Sequence, residues 1–292
     1  MQLSIIIINY NTFTLTCKCI SSIQEKLMDV EYEIVLVDNA SLECDPKFFK
    51  LQFPEIRLII SKTNTGFAGG NNLGIKHATG EYILLLNSDT ELINNAPKIC
   101  LEYLKANKKT GLVTCQLIYP NGTIQYNCRR FRTIGWELLE VFPLYKLLPK
   151  EKQAALMLHR YFNHQSFANC DWVWGTFMMF PKNIVQQLPG QQLAEDFFMY
   201  CEDVLWCWQF KQLGYDIHFL PEAKVMHIHK GSTSKEKLQQ VRLISIKNHA
   251  KFMKKFYPDV RWYIFAAIFY IKQYGALQME KLIKSFNHKN KA

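Results

Sequence analysis

The stretch LSIIIINYN, residues 3–11, decides the fold class. Its apolar run from Leu3 to Ile8 does not alternate with polar residues, which predicts a β-strand covered on both faces. Four later runs have the same character, namely Glu33–Val37, Ile56–Ile60, Tyr82–Leu86 and Leu112–Cys115. Apolar residues at helical spacing in Thr12–Lys26 and Asn94–Ala106 predict helices between the strands. The sequence therefore predicts an α/β fold with a mostly parallel central sheet flanked by helices.

Polar residues follow four of these strands directly. They are Asn9 and Tyr10 after the first strand, Asp38 after the second, Asn64 and Asn72 beyond the third, and Asn87, Ser88 and Asp89 after the fourth. The carboxyl ends of parallel strands share one edge of a sheet, where α/β proteins bind ligands. Taken singly, each group is also typical of a turn. Together, the four groups favour one ligand-binding crevice.

The second half of the chain continues the sheet and contains an insertion. We predict an aromatic strand at Asp171–Phe180, a helix beginning at Pro181, a helix at Asp203–Leu213, and strands at Ile217–Leu220 and Lys224–Ile228. Residues 129–167 mix apolar residues with prolines, which indicates an irregular or helical insertion. We expect an α/β domain over residues 1–234 and a helical C-terminal extension over residues 235–292.

The net charge of +10 lies entirely in the C-terminal extension. Residues 1–234 contain 22 basic and 22 acidic side chains, whereas residues 235–292 contain 13 basic and 3 acidic ones. A neutral body with a basic tail predicts that the tail binds any anionic surface. With 49% hydrophobic and 21% charged residues, the composition excludes a disordered or collagen-like chain.

The nine cysteines are scattered and show neither zinc-site spacing nor a secreted disulfide framework, which favours a reducing compartment. The first eight residues lack a basic segment, so we interpret them as a strand rather than a signal peptide. The apolar run Trp262–Ile271 has ten residues, whereas a spanning helix needs about 20. These features predict a cytoplasmic protein without a transmembrane segment.

Seven segments carry a family pattern in a fixed order: Ser4–Asn11, Val37–Ser41, Asn64–Asn72, Leu86–Thr90, Gly175–Pro181, Met199–Gly214 and His227–Thr233. In this order they resemble the GT-A glycosyltransferases of family 2, especially the rhamnosyltransferase-like branch. The resemblance implies the GT-A fold and an inverting, metal-dependent transfer of a sugar, rhamnose in that branch. The implied donor is a UDP- or dTDP-sugar, and the implied acceptor is a hydroxyl of a cell-surface glycan or a lipid-linked acceptor.

The motif Asn87-Ser88-Asp89 stands in the place of the family's Asp-x-Asp motif, which implies Mn²⁺ or Mg²⁺ beside the nucleotide diphosphate. A strand-end carboxylate can bind such a hard cation together with pyrophosphate oxygens. Asp89 is the one carboxylate of this motif. The resemblance implies His227 as a further metal ligand, with His229 as the alternative. Taken alone, these residues are more typical of an Asx turn and of a structural histidine.

Glu202 and Asp203 are the candidates for acid–base chemistry. An inverting transfer needs a carboxylate that takes the proton from the acceptor hydroxyl, and the resemblance implies that Asp203 is this base. The competing interpretation is structural, because acidic residues are favoured at the N-terminus of a helix. Leu205 stands where the family commonly has another acid, so this chain lacks that second carboxyl.

The resemblance assigns other polar positions to the nucleotide-sugar. These are Asn9, Tyr10 and Asp38 around the base, Asn64 and Asn72 on the glycine-containing loop, Asn87, Ser88, Asp89 and Glu202 near the diphosphate and sugar, and Gly175 on the sugar and acceptor side. Two nearby tryptophans, Trp172 and Trp174, either stack on sugar rings or belong to the core.

Two interpretations of the extension remain open. Its apolar and basic residues suit an amphipathic helix pair on an anionic membrane, which would make the protein peripheral at the inner face of the cell membrane. They also suit a helix pair that packs on the body or forms a homodimer. We expect no nucleic acid partner, because no recognition motif accompanies the charge. The altered metal motif keeps a second class open, a non-catalytic partner protein with the GT-A fold.

Overall fold

The computed structural model describes residues 1–228 and 235–289. Its strands are β1 (Leu3–Asn9), β2 (Tyr32–Asp38), β3 (Arg57–Ile60), β4 (Tyr82–Asn87), β5 (Thr90–Leu92), β6 (Thr110–Ile118), β7 (Ile124–Gln125), β8 (Cys128–Arg129), β9 (Ala168–Cys170), β10 (Trp172–Val173), β11 (Phe177–Pro181) and β12 (Asp216–His227). Its helices are α1 (Phe13–Lys26), α2 (Phe48–Gln52), α3 (Gly66–His77), α4 (Ala96–Ala106), α5 (Ile134–Val141), α6 (Lys150–Met157), α7 (Lys182–Val185), α8 (Glu202–Gln212), α9 (Lys235–Phe256) and α10 (Arg261–Lys289).

The described residues form two compact units. The first, which we call the sheet unit, comprises Met1–Arg130 and Leu158–Thr233, and the second, the helical unit, comprises Phe131–Met157 and Ser234–Ala292. The predicted insertion is therefore divided, since its central residues group with the C-terminal helices.

The sheet unit is built on one large sheet in the order β3-β2-β1-β4-β11-β6-β12-β5. Strands β1 to β4 are mutually parallel, and β12 is parallel to β6. Strand β11 is antiparallel to both of its neighbours. The predicted mostly parallel sheet is confirmed.

Helices cover both faces of this sheet, which is why its central strands are apolar without alternation. Successive residues Ile5, Ile6 and Ile7 of β1 are fully buried, although they point to opposite faces. Gly74 of α3 lets that helix approach closely, because a Cβ there would lie 2.3 Å from a methyl group of Ile6.

Two predicted strand boundaries were wrong. The predicted strand at Asp171–Phe180 is broken at Gly175: its first part, β10, pairs with β8 in a separate two-stranded ribbon, whereas β11 joins the main sheet. A glycine inside a strand pattern commonly marks such a break. Conversely, the two short strands predicted after residue 216 form the single strand β12, whose register shifts between Leu220 and Lys224.

The sequence predicts no disulfide framework, whereas the structure pairs Cys128 and Cys170 in a disulfide. They are separated by 42 residues and lie on β8 and β9, with Cα atoms 5.8 Å apart. A pair so distant in the chain has no local sequence signal. The other seven cysteines are free.

The helical unit has its own core and its own buried charges. Phe131 packs against Phe252 and Phe256, with ring centroids 5.9 and 5.5 Å apart. The carboxylate of Glu137 is fully buried and accepts hydrogen bonds from Arg132 Nε at 2.6 Å and Lys272 Nζ at 2.8 Å. Among the described helices, none combines the length and the apolar character that crossing a bilayer requires.

Candidate active site

The carboxyl ends of β1 and β2 are joined by a buried pair of polar side chains. Asn9 Nδ2 donates to Asp38 Oδ2 at 2.7 Å, and the backbone N–H of Ser41 donates to Asp38 Oδ1 at 3.0 Å. Asn9 Oδ1 accepts from the hydroxyl of Thr16 at 2.9 Å. The structure thus brings Asn9 and Asp38 together as expected, but their side chains hydrogen-bond to each other. Tyr10, the next residue, is exposed.

Asn39 organises the loop that enters α3, and the sequence analysis did not select it. Its side chain donates to Asn64 Oδ1 and to the carbonyl of Gly66, both at 3.0 Å, and its Oδ1 accepts from the N–H of Thr65. Gly66 has φ +73°, and a Cβ there would lie 2.4 Å from the carbonyl oxygen of Phe198. The loop therefore requires glycine at this position.

Asn72 fastens α3 to the segment that precedes α8. Its Nδ2 donates to the carbonyl of Leu193 at 2.8 Å and to Glu195 Oε1 at 2.7 Å, while its Oδ1 accepts from the N–H of Leu193 at 3.0 Å. The amide of Asn72 is thus engaged on both sides, which makes it a support of the loop.

The end of β4 carries the predicted metal motif. Ser88 Oγ lies 3.0 Å from Thr12 Oγ1, which links this strand end to that of β1. Asn87 Oδ1 is buried and has no hydrogen-bond partner in the structure. Because buried polar atoms are normally hydrogen-bonded, this orphaned carbonyl oxygen indicates a position for a ligand donor or a cation.

Asp89 and His227 lie side by side, with Asp89 Oδ1 3.3 Å from His227 Nε2. Strand pairing brings them together, since β5 pairs antiparallel with β12 and places Thr90 opposite His227. The imidazole is buried. His229, the predicted alternative ligand, lies outside the described residues.

Gln125 fixes the orientation of this imidazole, and the sequence analysis missed it. Gln125 Nε2 donates to the backbone carbonyl of His227 at 2.7 Å, so its Oε1 is the atom that faces His227 Nδ1, also at 2.7 Å. An amide oxygen only accepts, so we assign the proton to Nδ1. In neutral His227 the Nε2 lone pair then faces the carboxylate of Asp89.

This donor set fits a divalent cation. A lone pair and a carboxylate oxygen 3.3 Å apart repel each other unless a proton or a cation lies between them. Carboxylate, amide carbonyl and imidazole together suit Mn²⁺ or Mg²⁺, and a hydrogen bond to the second ring nitrogen is the usual support of a metal-binding histidine. Within residues 1–228 and 235–289, no group of three or more His, Cys, Asp and Glu side chains adds to the pair.

Glu202 and Asp203 begin α8, where Glu202 is buried and Asp203 is half-buried. Asp203 Oδ2 accepts from the N–H of Gly175 at 3.2 Å, and its Oδ1 accepts from the N–H of Val204 at 2.8 Å. Burial raises the pKa of Asp203, and these hydrogen bonds oppose the rise. The pKa of Glu202 is raised by burial and by the adjacent charge of Asp203. Burial therefore raises the pKa of both carboxyls, and the adjacent charge of Asp203 raises that of Glu202 further.

Arg129 is a third residue of the site that sequence reasoning missed. Its guanidinium lies 5.2 Å from the ring centroid of Trp172 and 5.1 Å from that of Trp174, and its charge lowers the pKa of Asp203. Trp172 is buried and Trp174 half-buried, so the two rings hold the cation rather than standing open to sugars. The ribbon of β8 and β10 thus places a positive charge near the candidate base.

The fold defines the class of protein. The fold is similar to that of a mannosyltransferase from Pyrobaculum calidifontis solved with GDP-Man and Mn²⁺, with a TM-score of 0.59 and 17% identity over 94% of this chain and 69% of that one. It is also similar to that of GalNAc-T7 solved with UDP, GalNAc and Mn²⁺, with a TM-score of 0.60 and 14% identity over 87% of this chain and 50% of that one. The predicted GT-A glycosyltransferase fold is confirmed.

Residues 4–188 match the model of Glycosyl transferase family 2, and the chain belongs to that family. It is 26% identical over 230 residues to the low-salt glycan biosynthesis hexosyltransferase Agl10 of Haloferax volcanii, covering 74% of this chain and 64% of that protein. It is 32% identical over 113 residues to the poly(ribitol-phosphate) beta-glucosyltransferase of Bacillus spizizenii, covering 37% of this chain and 18% of that protein. The matched region is thus less than two thirds of either relative's length.

Proposed function

We propose that the protein is an inverting glycosyltransferase that moves a sugar from a UDP- or dTDP-sugar to a hydroxyl of a cell-surface glycan or a lipid-linked acceptor. Rhamnose is the proposed sugar, on the resemblance of the sequence to the rhamnosyltransferase-like branch. The observation that carries the proposal is the carboxylate of Asp203, which two backbone N–H groups hold in a fixed orientation. A fixed carboxylate with a raised pKa suits a general base near neutral pH.

In the proposed reaction, Asp203 takes the proton from the acceptor hydroxyl. The oxygen of that hydroxyl forms a bond to the anomeric carbon as the bond from that carbon to the nucleoside diphosphate breaks, and a single displacement inverts the configuration. The N–H groups of Gly175 and Val204 orient the carboxylate, and the charge of Arg129 favours its ionised form. The raised pKa of Glu202 favours its protonated form, which adds no second negative charge beside Asp203.

Asp89 and His227 would hold the divalent ion, and Asn87 offers its buried carbonyl oxygen. When bound, Mn²⁺ or Mg²⁺ neutralises the charge that develops on the departing diphosphate. Gln125 keeps the imidazole in the orientation that presents Nε2 to the site.

The donor's nucleotide is proposed to lie along the ends of β1 to β3. Asn9 and Asp38 support this wall through their mutual hydrogen bond, and the exposed Tyr10 is the side chain available to a base. The solved structures of similar fold contain GDP-Man in one case and UDP in the other. Both kinds of base therefore belong in the test.

Isothermal titration calorimetry with Mn²⁺ and a panel of UDP-, dTDP- and GDP-sugars tests this proposal. We expect one class of donor to bind, and to bind only when metal is present. Binding to the variant Asp89→Ala should be at least about tenfold weaker, since that variant loses the carboxylate ligand of the proposed metal site.

A second candidate function is a non-catalytic partner protein that keeps the GT-A fold. The observation that favours it is Asn87, which stands where the family's metal motif has a carboxylate. Donor binding without hydrolysis or transfer to any acceptor would favour this candidate, as would a lack of metal-dependent nucleotide binding.

We also propose that the protein works in the cytoplasm, peripherally at the inner face of the cell membrane, where a lipid-linked acceptor would be found. The support is the net charge of +10, which residues 235–292 carry. Anionic lipid attracts such a basic segment. A homodimer through the same extension is the alternative, and sedimentation analysis distinguishes the two.

A further inference from the structure

An exposed apolar stretch lies at the end of α5 and in the 3₁₀ helix Leu144–Leu147 that follows it. Five large apolar side chains are exposed within these ten residues: Leu138, Val141, Phe142, Leu144 and Leu147. Phe142 and Leu144 are 59% and 57% exposed, and Leu147 is 82% exposed. We call residues 138–147 the apolar segment. A contiguous run of this kind on a protein surface marks an interaction site.

Exposed cations accompany the apolar segment. Lys146, Lys150 and Lys152 are all exposed, and within the described part of the chain no ion pair engages them. The acid inside the segment, Glu140, pairs with Lys272 in the helical unit. One exposed acid, Glu151, remains among the three lysines, so this surface presents a net positive charge beside its apolar side chains.

The C-terminal extension offers less of its apolar surface than its sequence indicates. Phe252, Met253, Phe265 and Phe269 are buried within the helical unit and do not reach a membrane. Exposed apolar side chains of the extension, among them Tyr263 and Ile271, are spread along α10. Among those residues of the helical unit whose exposure the structure describes, the densest exposed apolar run is thus in the insertion.

We infer that the apolar segment binds an anionic membrane surface, with its leucines and Phe142 in the headgroup region and Lys146, Lys150 and Lys152 on lipid phosphates. A bilayer surface offers both an apolar layer and negative charge. A second copy of this chain would instead bring like charges together, which disfavours self-association through this surface. The inference rests on the proposed membrane location and assigns the contact to the insertion instead of the extension.

Vesicle flotation with the full-length chain tests the inference. We expect binding to vesicles with 30% anionic phosphatidylglycerol and weak binding to neutral phosphatidylcholine vesicles. The double variant Leu144→Asp/Leu147→Asp should bind anionic vesicles at least about tenfold more weakly, because two apolar side chains no longer enter the lipid. The matched control Met28→Asp/Leu51→Asp adds the same charge at exposed apolar positions of the sheet unit and should bind like the wild type.

A second variant keeps the test informative if the first one fails to fold, as judged by its thermal unfolding. Lys146→Gln/Lys150→Gln/Lys152→Gln leaves the apolar side chains in place and should lower the partition coefficient about fivefold for each lysine removed. Its binding should also become less sensitive to salt.

Three results would overturn the inference: no wild-type binding to anionic vesicles, wild-type affinity in both variants, or a dimer that the aspartate variant disrupts while vesicle binding persists. If both variants bind anionic vesicles as tightly as the wild type, the proposed membrane location stands and the membrane contact is assigned to the C-terminal extension instead. Donor binding, measured by calorimetry on the same samples, reports on the glycosyltransferase proposal separately.

Discussion

Each unit of the molecule buries a glutamate, and the surroundings of the two differ. In the helical unit, Glu137 is paired with two cations, Arg132 and Lys272. In the sheet unit, no cation is paired with Glu202 in the described part of the chain, its Oε2 has no hydrogen-bond partner, and burial raises its pKa. A buried charge with partners is a structural feature, whereas a buried carboxyl without them indicates chemistry.

The largest effect is expected on transfer activity, from substitution of Asp203, which lies next to the unpaired Glu202. Asp203→Asn removes the proposed base while keeping the size of the side chain, and transfer should fall on the order of a thousandfold, since a general base contributes 10²–10⁴. Donor binding by calorimetry should stay within about threefold of the wild-type value, because the amide oxygen still accepts one of the hydrogen bonds. The control Asp216→Asn removes a half-buried acid of the same unit and should leave the rate unchanged. Full turnover by Asp203→Asn would show that Asp203 is not the general base.

The paired glutamate should matter for stability. Glu137→Gln leaves Arg132 and Lys272 beside a neutral amide, and we expect a loss of about 3 kcal/mol of unfolding free energy. Chemical denaturation of the full-length chain measures this loss, with donor affinity as the second readout. If donor affinity falls while stability holds, Glu137 has a functional role and the contrast between the two glutamates is wrong.

Gln125 is the next test, because it connects a buried amide to the proposed metal site. Gln125→Leu removes the acceptor that holds His227 Nδ1, and Mn²⁺ affinity should fall about 10- to 100-fold. The matched control is Gln116→Leu, a buried glutamine of β6 that donates to the backbone carbonyl of His164. Calorimetry with Mn²⁺ and UDP is the measurement. Equal losses in both variants would indicate a general packing defect.

The charge of Arg129 should influence the pH at which transfer activity is lost on the acid side, or acid limb, of its pH profile. The pKa of Asp203 is raised to about 6 by burial, against the lowering effect of its hydrogen bonds and of Arg129. Because the base must be ionised, activity is present above this pKa and is lost as the pH falls through it. Arg129→Gln should move the limb upward by about one pH unit, whereas Arg129→Lys keeps the charge and should move it less. An unmoved limb in Arg129→Gln would exclude the electrostatic role.

The sequence was sufficient for the parallel strands β1 to β4 and for the polar residues that follow them. Unalternating runs such as Leu3–Ile8 identify strands buried on both faces, and parallel strands bring their carboxyl ends to one edge. The residues that orient the site were not predictable, because they come from distant parts of the chain. Gln125 meets His227 across 102 residues, and Arg129 reaches its tryptophans through the ribbon of β8 and β10. The break at Gly175 did have a local signal, a glycine within a strand pattern.

The smallest effect on stability is expected for Glu202→Gln, and its sign is opposite to that expected for Glu137→Gln. The pKa of Glu202 is higher in the folded chain than in the unfolded chain, so the folded state favours the protonated carboxyl. By linkage, the wild type loses stability as the pH rises from the unfolded pKa, near 4.5, towards the folded one. Glu202→Gln resembles the protonated form and should be equally stable or up to about 1 kcal/mol more stable at pH 7.

Denaturation of wild type and Glu202→Gln at pH 5 and pH 8 measures this difference directly. The variant should lack the part of the pH dependence that Glu202 contributes, so its advantage should grow from pH 5 to pH 8. A loss of stability at both pH values, like that expected for Glu137→Gln, would mean that Glu202 is ionised and paired in the folded chain. The two glutamates would then be equivalent, and burial without a partner would no longer distinguish the site from the rest of the fold.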